Sequence, residues 1–410
     1  MRVVVIGGGA VGSAVALFLK RLGGAAVHVQ VVEPDPGLAL ASSARSAASI
    51  RQQFSNPVNV QMSQFGLEVI SQADAWLGVA GAPVDLGLVR SGYLFCATAA
   101  GAPLLQARHA VQRTCGADVA LLAPAEAAAR FPWLRTDDLA LASLGLSGEG
   151  WFDGEAFARA LAAQARALGA LWQRGRVVAF DRSPGAAGGA GKGQRTGQGD
   201  GRLLAAVLDN GSRIEADAYV NAAGPWAGAV AALAGLAVPV FARRRTVFVM
   251  RCPTPITPPG QPTPLVVDPA GIWFRSEGAG FIGGWSPGGG QPDTDDLPLD
   301  QPDLQQFEDH LWPAMAHRVP AFEALRVQRA WAGYYEVHPL DHNALIGPHP
   351  DCANLLLCNG FSGHGLQHAP AAGRGLAEWL LTGQWQTLDL SAFSPQRVLT
   401  GRGFVEQAII

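Results

Sequence analysis

The sequence has very little lysine. Of its 30 cationic side chains only Lys20 and Lys192 are lysines, and the other 28 are arginines. Schiff-base chemistry, or any other role that needs a titratable ammonium group, must therefore use one of these two residues. An excess of positive charge is also lacking, since the 410 residues carry a formal net charge of −3. Proteins that follow a phosphate backbone usually have such an excess, so we expect no nucleic-acid partner.

Cysteine and long apolar runs are also scarce. The five cysteines are odd in number and form no C-x-x-C pair, which argues against a disulfide framework or a zinc finger and favours a reducing compartment. We therefore expect a cytoplasmic location. No apolar run approaches the length of a transmembrane helix. With 49% hydrophobic and 15% charged residues, the chain is globular and long enough for two or three domains.

The chain opens with a dinucleotide-binding pattern. A β-branched run at residues 3–6 leads directly into Gly7, Gly9 and Gly12 of a G-x-G-x-x-G, and residues 10–22 read as a helix. Gly7 allows a tight turn, Gly9 lets the backbone approach a pyrophosphate, and Gly12 lets the helix pack closely on the strand. The start of the helix, at Ala10 and Val11, offers N–H groups to the phosphates. This fit also argues against a secretion signal at the N-terminus.

Glu33 completes this pattern. It ends the next apolar run and lies 21 residues beyond Gly12. A carboxylate at this position accepts hydrogen bonds from a ribose and disfavours a 2′-phosphate. Since either NAD or FAD presents an adenosine ribose, these residues alone predict a dinucleotide without choosing between the two.

The rest of the chain alternates between two kinds of segment. Residues 176–182, 203–208 and 213–220 predict a β-meander, residues 239–339 are β-rich and punctuated by proline, and residues 354–381 return to strand, glycine loop and helix. We therefore predict an α/β fold in which a Rossmann-like domain is built from discontinuous segments and an antiparallel-sheet substrate domain is inserted. The predicted boundaries are 1–83, 151–238 and 340–410 for the nucleotide-binding domain, and 84–150 and 239–339 for the substrate-binding domain.

One of the two lysines falls in a low-complexity segment. Residues 183–201 are rich in glycine and carry Lys192. Such a segment cannot bury a core, so we predict a mobile hairpin tip there.

Several motifs together resemble a known family. They are Asn359-Gly360-Phe361-Ser362-Gly363-His364-Gly365, the opening glycine loop, and residues 220–226, 49–55, 331–335 and 341–347. In this order they are similar to the glycine/D-amino-acid oxidase (DAO) family, nearest to the branch of sarcosine oxidases and of dimethylglycine and sarcosine dehydrogenases. The resemblance implies a Rossmann-like FAD-binding domain of the glutathione-reductase type and covers nearly the whole chain.

The resemblance implies FAD as the cofactor and assigns residues to it. A helix that begins at Gly365 would place N–H groups and a positive dipole end toward the flavin ring, which favours the charge gained on reduction. The cofactor-binding residues so implied are Gly7, Gly9, Ala10, Val11, Gly12, Glu33, Ser42, Ser43, Arg45, Ser46, Gly224, Trp226, Gly360, Phe361, Ser362, Gly363, His364, Gly365 and Leu366. A surface role for Arg45 stays open.

The resemblance also implies that FAD is held without a covalent bond. Sarcosine oxidases attach FAD through a cysteine, but this chain has Gly333-Tyr334-Tyr335 in that region. The dehydrogenases attach it through a histidine in the early loop, where this chain has Ser46.

The substrate implied is a small amino acid. Arg51 aligns with an arginine that grips the substrate carboxylate, a task suited to its planar fork; a structural salt bridge is the alternative. The catalytic candidates are Arg51, Tyr334, Tyr335, His338 and His364. Sarcosine oxidase has a lysine after its second glycine loop, where this chain has Leu366 and Gln367, so we expect a weaker or differently built carboxylate clamp. Secondary and N-methyl amino acids are the substrate class that Arg51 and this branch of the family imply, and D-amino acids stay open. For Tyr334, Tyr335 and His338, packing or surface hydrogen bonding is the competing role.

The expected reaction is oxidation of a C–N bond by hydride transfer to the flavin, which gives an imine that water hydrolyses. Oxidases of this branch place a lysine over the flavin, and Ile282 stands at about that position here. We therefore expect a dehydrogenase that passes electrons to a carrier or quinone rather than to O₂. A FAD-binding assembly protein with little turnover is the alternative function, and an NAD dehydrogenase is a third.

Two other motif matches are weaker. Residues 284–288 match the G-x-S-x-G of hydrolases, but Pro287 and the glycines after it are incompatible with the helix which that motif requires. His338, Asp341, His342 and His349 have irregular spacing for a metal site. We predict no metal.

Overall fold

The structure is a computed structural model that describes residues 1–183, 201–287 and 298–407. The hairpin tip predicted around Lys192 and the last glycine of the G-x-S-x-G match lie outside the described residues.

Strands carry most of the architecture. They are β1 (Arg2–Ile6), β2 (His28–Glu33), β3 (Ser49–Ile50), β4 (Tyr93–Ala97), β5 (Val119–Leu122), β6 (Leu141–Gly145), β7 (Gly150–Trp151), β8 (Leu171–Arg174), β9 (Val177–Arg182), β10 (Leu203–Leu208), β11 (Arg213–Glu215), β12 (Ala218–Asn221), β13 (Phe241–Arg251), β14 (Leu265–Val267), β15 (Ile272–Glu277), β16 (Gly280–Trp285), β17 (Arg326–Val337), β18 (Leu345–His349) and β19 (Cys352–Asn359).

The α-helices lie between these strands. They are α1 (Ala10–Gly23), α2 (Ser42–Arg45), α3 (Pro57–Ser71), α4 (Ala73–Leu77), α5 (Ala102–Thr114), α6 (Pro124–Arg130), α7 (Gly154–Ala167), α8 (Ala227–Leu233), α9 (Trp312–Arg318), α10 (Gly365–Thr382) and α11 (Gln396–Thr400). Within the described ranges, no helix is long and apolar enough to cross a membrane.

A six-stranded sheet carries the nucleotide-binding pattern, in the order β18-β19-β12-β1-β2-β8. Its pairs are parallel except β18 with β19. Both faces of β1 are covered, which explains its uninterrupted apolar run. Val3 and Val5 pack with α1, α7 and α10, whereas Val4 and Ile6 pack with α8 and the three-stranded sheet β11-β10-β9.

An eight-stranded sheet forms the second layer, in the order β17-β13-β16-β15-β14-β4-β6-β5. Its pairs are antiparallel except β14 with β4. Its strands come from residues 93–145 and 241–337, so the chain leaves the first sheet twice to build it. The predicted fold class is thereby confirmed. The domain boundaries stay a prediction.

The structure changes two details of the predicted elements. The segment 213–220 is two strands: β11 pairs with β10, but β12 joins the parallel sheet beside β1. Asp217 lies at the point of the change: its Oδ2 accepts the N–H of Arg2 at 2.6 Å, and its own N–H donates to the carbonyl of Arg2. The sequence predicts one long helix over residues 57–78, but the structure breaks it at Gln72, between α3 and α4.

Candidate active site

A cavity of about 310 Å³ lies between the carboxyl ends of the parallel strands and the eight-stranded sheet. Carboxyl ends of parallel strands are the usual place for a ligand in such folds. Predicted residues that line it are Gly7, Gly9, Ala10, Val11, Glu33, Ser42, Ser43, Arg45, Ser46, Gly224, Trp226, Tyr334, Tyr335, Gly363, Gly365 and Leu366.

The first glycine loop has the shape that its sequence predicts. Gly7 has φ +104°, and a Cβ there or on Gly12 would overlap a backbone carbonyl oxygen, that of Ala222 or of Gly7 respectively. These two glycines therefore serve close packing. A Cβ on Gly9 would meet only Ser43 Oγ, at 3.6 Å, so Gly9 keeps open the space in front of α1.

Glu33 lies at the end of β2 with both carboxylate oxygens held. Oε2 accepts the N–H of Gly8 at 2.7 Å, and Oε1 accepts the N–H of Asp35 at 2.8 Å. Burial raises the pKa of this carboxyl group, while the two N–H groups act in the opposite direction. The side chain is thus fixed at the cavity wall, where it can meet a ribose.

The segment of small residues at 41–46, which contains the short helix α2, fits a phosphate-containing cofactor. The hydroxyls of Ser42 and Ser43 are buried at the cavity wall and have no hydrogen-bond partner among the described residues. Buried hydroxyls normally have partners, so these two fit a bound group with acceptor oxygens. Arg45 is used differently: its Nε donates to the carbonyl of Ala39 at 2.7 Å and its Nη1 to that of Ala332 at 2.9 Å. It ties α2 to β17.

The second glycine loop lies against the same cavity and leads into the 18-residue α10. Gly360, Ser362 and Gly363 all have positive φ, of 75°, 49° and 92°. A Cβ on Gly363 would lie 2.6 Å from the ring of Tyr335, so only glycine fits there. Gly360, Phe361 and Ser362 are not among the lining residues, nor is Gly12; they support the wall from behind.

Arg51 and His364 meet behind the cavity wall. Arg51 Nη2 lies 3.0 Å from His364 Nε2, and Arg51 Nη1 donates to the carbonyl of Gln53. The guanidinium stacks over the ring of Phe54, 4.1 Å from its centroid. Neither residue lines the cavity directly, but both neighbours of His364 do. The carboxylate-binding role of Arg51 stays a prediction.

The charged surroundings of Arg51 are unusual for a buried residue. Burial lowers the pKa of Arg51, and the nearby Tyr93, Glu406 and Glu149 partly oppose this. Glu149 is 1% exposed, and burial raises its pKa to about 7. Gln367, where sarcosine oxidases have lysine, accepts the backbone N–H of Arg51 at 3.0 Å. The amide thus positions Arg51 and supplies no second cation.

His338 does not reach the cavity. It is fully buried, and its Nδ1 lies 3.0 Å from Oδ1 of Asp341. Asp341 in turn pairs with Arg397 Nε at 2.7 Å. Burial opposes ionisation of Asp341, but His338 and Arg397 hold its pKa below the usual value. His349 lies elsewhere, against Ala237. Among the residues that the structure describes, no group of three or more His, Cys, Asp or Glu side chains is placed to hold a metal ion.

Several lining residues were not predicted. Among these, Trp273 and Trp285 come from the eight-stranded sheet, Arg245 lies 5.6 Å from the ring of Tyr335, and Glu336 comes from β17. All four lie on strands of the eight-stranded sheet, outside the two glycine motifs. Ser286 of the G-x-S-x-G match also lines the cavity, but Gly284 and Trp285 end β16 instead of leading into a helix, so the nucleophile-elbow geometry is absent from this described segment.

The fold and the paired glycine loops define a dinucleotide-binding oxidoreductase. The chain belongs to the DAO family: the family model described as FAD dependent oxidoreductase matches residues 2–379. FAD is thereby confirmed as the cofactor over NAD. Non-covalent binding agrees with Ser46 and Tyr334 in the cavity wall and with the protonated thiol of Cys358, whose pKa burial raises.

Relatives of known sequence support the same assignment. The chain is 39% identical over its whole length to FAD-dependent oxidoreductase domain-containing protein 1 of Bos taurus and covers 87% of that protein. It is 27% identical to mitochondrial sarcosine dehydrogenase of Mus musculus, over 93% of this chain and 40% of the other. Among solved structures, L-proline dehydrogenase from P. horikoshii has a TM-score of 0.82 and 25% identity, with 98% and 99% of the two chains covered.

Proposed function

We propose that the protein oxidises the C–N bond of a small amino acid, either secondary, N-methylated or of D configuration, with bound FAD as hydride acceptor and an imine as product. One observation carries this proposal. A single cavity joins the cofactor cradle of the two glycine loops to a wall of aromatic side chains from the eight-stranded sheet. When bound, FAD supplies the two-electron acceptor.

The protein's own residues then bind and orient the substrate. Trp273, Tyr334 and Tyr335 offer rigid apolar surface beside the cofactor cradle, which favours a neutral amine and its C–H groups over water. Arg51 lies behind the cavity wall, next to His364, and from there its positive charge attracts the substrate carboxylate. The relation to L-proline dehydrogenase and sarcosine dehydrogenase supports a secondary amine as the substrate.

A dehydrogenase is favoured over an oxidase because no lysine lies near the cavity in the described part of the chain. Ile282 is 2% exposed and packs with Tyr93, Val247 and Trp273. Lys20 is committed elsewhere: its Nζ donates to the carbonyls of Gly24 and Val27, at 2.9 Å each. We therefore propose a protein or quinone carrier as electron acceptor.

Anaerobic spectroscopy of the purified yellow protein tests the function. The panel contains sarcosine, N,N-dimethylglycine, L-proline, D-alanine and glycine, each followed at the flavin absorbance band. Bleaching by one compound at low concentration supports the enzyme, and no bleaching by any of them favours the assembly role. Dye reduction with the same compound is then compared with O₂ consumption, and equal rates would contradict a dehydrogenase.

A further inference from the structure

Glu336 is a buried carboxylic acid in the wall of the FAD cavity. It lies on β17 directly after Tyr335, and it is 9% exposed. It is not part of either glycine motif.

The contacts of Glu336 are with the second glycine loop. Its Oε2 accepts the N–H of Gly360 at 3.0 Å, and the N–H of Phe361 also donates to the carboxyl group. Its backbone carbonyl accepts the N–H of Ser362 at 2.9 Å. One residue therefore holds three successive N–H groups of a loop in which Gly360 and Ser362 have positive φ. Such a backbone needs support from its surroundings.

The other carboxylate oxygen lies beside the start of α10. A Cβ built on Gly365 would be 3.0 Å from Glu336 Oε1, and Gly365 itself lines the cavity. A negative charge at this place is stabilised by the positive end of the helix dipole, and it also offsets that positive end. The same helix end is the feature that would favour negative charge on a reduced flavin.

We propose that Glu336 is a positioning residue for FAD, which shapes the second glycine loop and, when ionised, lowers the midpoint potential of the bound flavin by offsetting the positive end of α10. The proposal rests on the FAD site of the family fold and is independent of the substrate.

The pH dependence of the charge on Glu336 distinguishes an electrostatic effect on the flavin from a purely structural role of the side chain. Burial raises the pKa of Glu336 to about 7, so the carboxyl is neutral at pH 5.5 and ionised at pH 8.5. The neighbouring titratable groups are Cys358, His364, His338 and Tyr335. Burial keeps Cys358 and Tyr335 protonated and His364 neutral. His338 is present in every variant, as are Arg243 and Arg245 on the paired strand β13.

The test compares FAD-loaded wild type with Glu336→Gln and Glu336→Leu. Glu378→Gln is the matched control, because Glu378 is also a buried carboxylate and lies on α10. It is about 20 Å from Gly365, at a rise of 1.5 Å per residue, and its partners are Arg374 and Thr387. The readouts are the midpoint potential from equilibration with a reference dye, at pH 5.5 and pH 8.5, and the FAD dissociation constant of the apoprotein from flavin fluorescence.

We expect Glu336→Gln to raise the midpoint potential at pH 8.5 and to match wild type at pH 5.5. For a two-electron couple, a tenfold change in the equilibrium constant for reduction corresponds to about 30 mV in the midpoint potential. Glu336→Leu should weaken FAD binding roughly tenfold, and Glu378→Gln should change neither value. If Glu336→Leu does not fold, Glu336→Gln still decides. Equal potentials for Glu336→Gln and wild type at both pH values would overturn the proposal. Since no substrate is used, a protein that no amino acid reduces can still pass this test.

Discussion

Arg51 Nη2 lies 3.0 Å from His364 Nε2, and the two residues are 313 positions apart in the chain. Arginine can only donate, so Nε2 accepts and the imidazole proton is on Nδ1. Burial and the adjacent guanidinium both lower the pKa of His364 well below its usual value. The pair is thus one fixed cation beside one neutral acceptor, which links the early loop to the start of α10.

Substitution of Arg51 should weaken binding of substrate with little effect on FAD. Arg51→Met removes the charge, and the loss of a charge-assisted pair of about 1.5–3 kcal/mol corresponds to a KM roughly 10- to 100-fold higher. Arg51→Lys should recover part of this loss, because lysine keeps the charge and loses the fork. The measurement is the concentration dependence of flavin bleaching in both variants.

Arg45→Met is a suitable control for that series. Arg45 lies in the cavity wall but donates to the carbonyls of Ala39 and Ala332, so its loss should affect FAD affinity more than KM. An unchanged KM in Arg51→Met would assign Arg51 a structural role.

Buried neutral histidine should make the protein less stable in mild acid. Burial lowers the pKa of His368 to about 3, whereas the unfolded chain takes up the proton near pH 6.5. Stability is therefore complete above pH 6.5 and falls as the pH decreases toward 3. By pH 5 this one group costs roughly 2 kcal/mol. Urea unfolding of His368→Gln at pH 7.5 and pH 5 should show a smaller loss than wild type.

The exposed His28 provides the comparison, since His28→Gln removes a histidine without removing a buried one. The same acid sensitivity in wild type and His368→Gln would show that His368 is protonated in the folded state.

Alanine substitutions at Gly12 and at Gly9 of the first glycine loop should have different effects. Gly12→Ala places a Cβ against the carbonyl oxygen of Gly7, so we expect poor folding or a cost of several kcal/mol. In Gly9→Ala the new Cβ meets only Ser43 Oγ at 3.6 Å. That variant should fold with near wild-type circular dichroism and bind FAD at least tenfold more weakly. Tight FAD binding by Gly9→Ala would show that the pyrophosphate does not approach this residue.

Asp341 should matter for stability more than for chemistry. It pairs with His338 and Arg397 in a fully buried cluster, and the loss of one partner in such a cluster costs about 3–5 kcal/mol. Asp341→Asn should lower the melting temperature by several degrees while the molecules that stay folded keep their KM. A variant with normal stability and no turnover would return His338 to the list of reacting groups.

The parts of the site that the sequence predicts are those where backbone shape restricts the residue type. At Gly7, Gly12 and Gly363 a side chain would collide with neighbouring atoms. Only glycine fits these positions, so the glycine spacing in the sequence predicts the shape of the two loops. Ser42 and Ser43 follow from the resemblance alone, and in the structure they lie in the short helix α2. The fold class could be predicted for the same reason, from strand, glycine loop and helix occurring at both ends of the chain.

What could not be predicted depends on contacts between distant strands. Glu336 and Arg245 are charged residues within strands β17 and β13, and no local pattern distinguishes a charge that faces a cavity from one that faces solvent. His338 was predicted as a catalytic candidate together with Tyr334 and Tyr335, but its side chain turns away from the cavity and pairs with Asp341. The place of β12 in the parallel sheet depends on its pairing with β1 and β19, which are distant from it in the sequence.

The most direct test of the account is anaerobic mixing of the FAD-loaded protein with L-proline and with pyrrolidine, its decarboxylated counterpart, and likewise with sarcosine and dimethylamine. The account predicts that one of the two carboxylates bleaches the flavin band at low concentration, that its decarboxylated partner does so at least tenfold less effectively, and that Arg51→Met abolishes this difference. Equal bleaching by both members of a pair, or no bleaching by any compound of the panel, would contradict it.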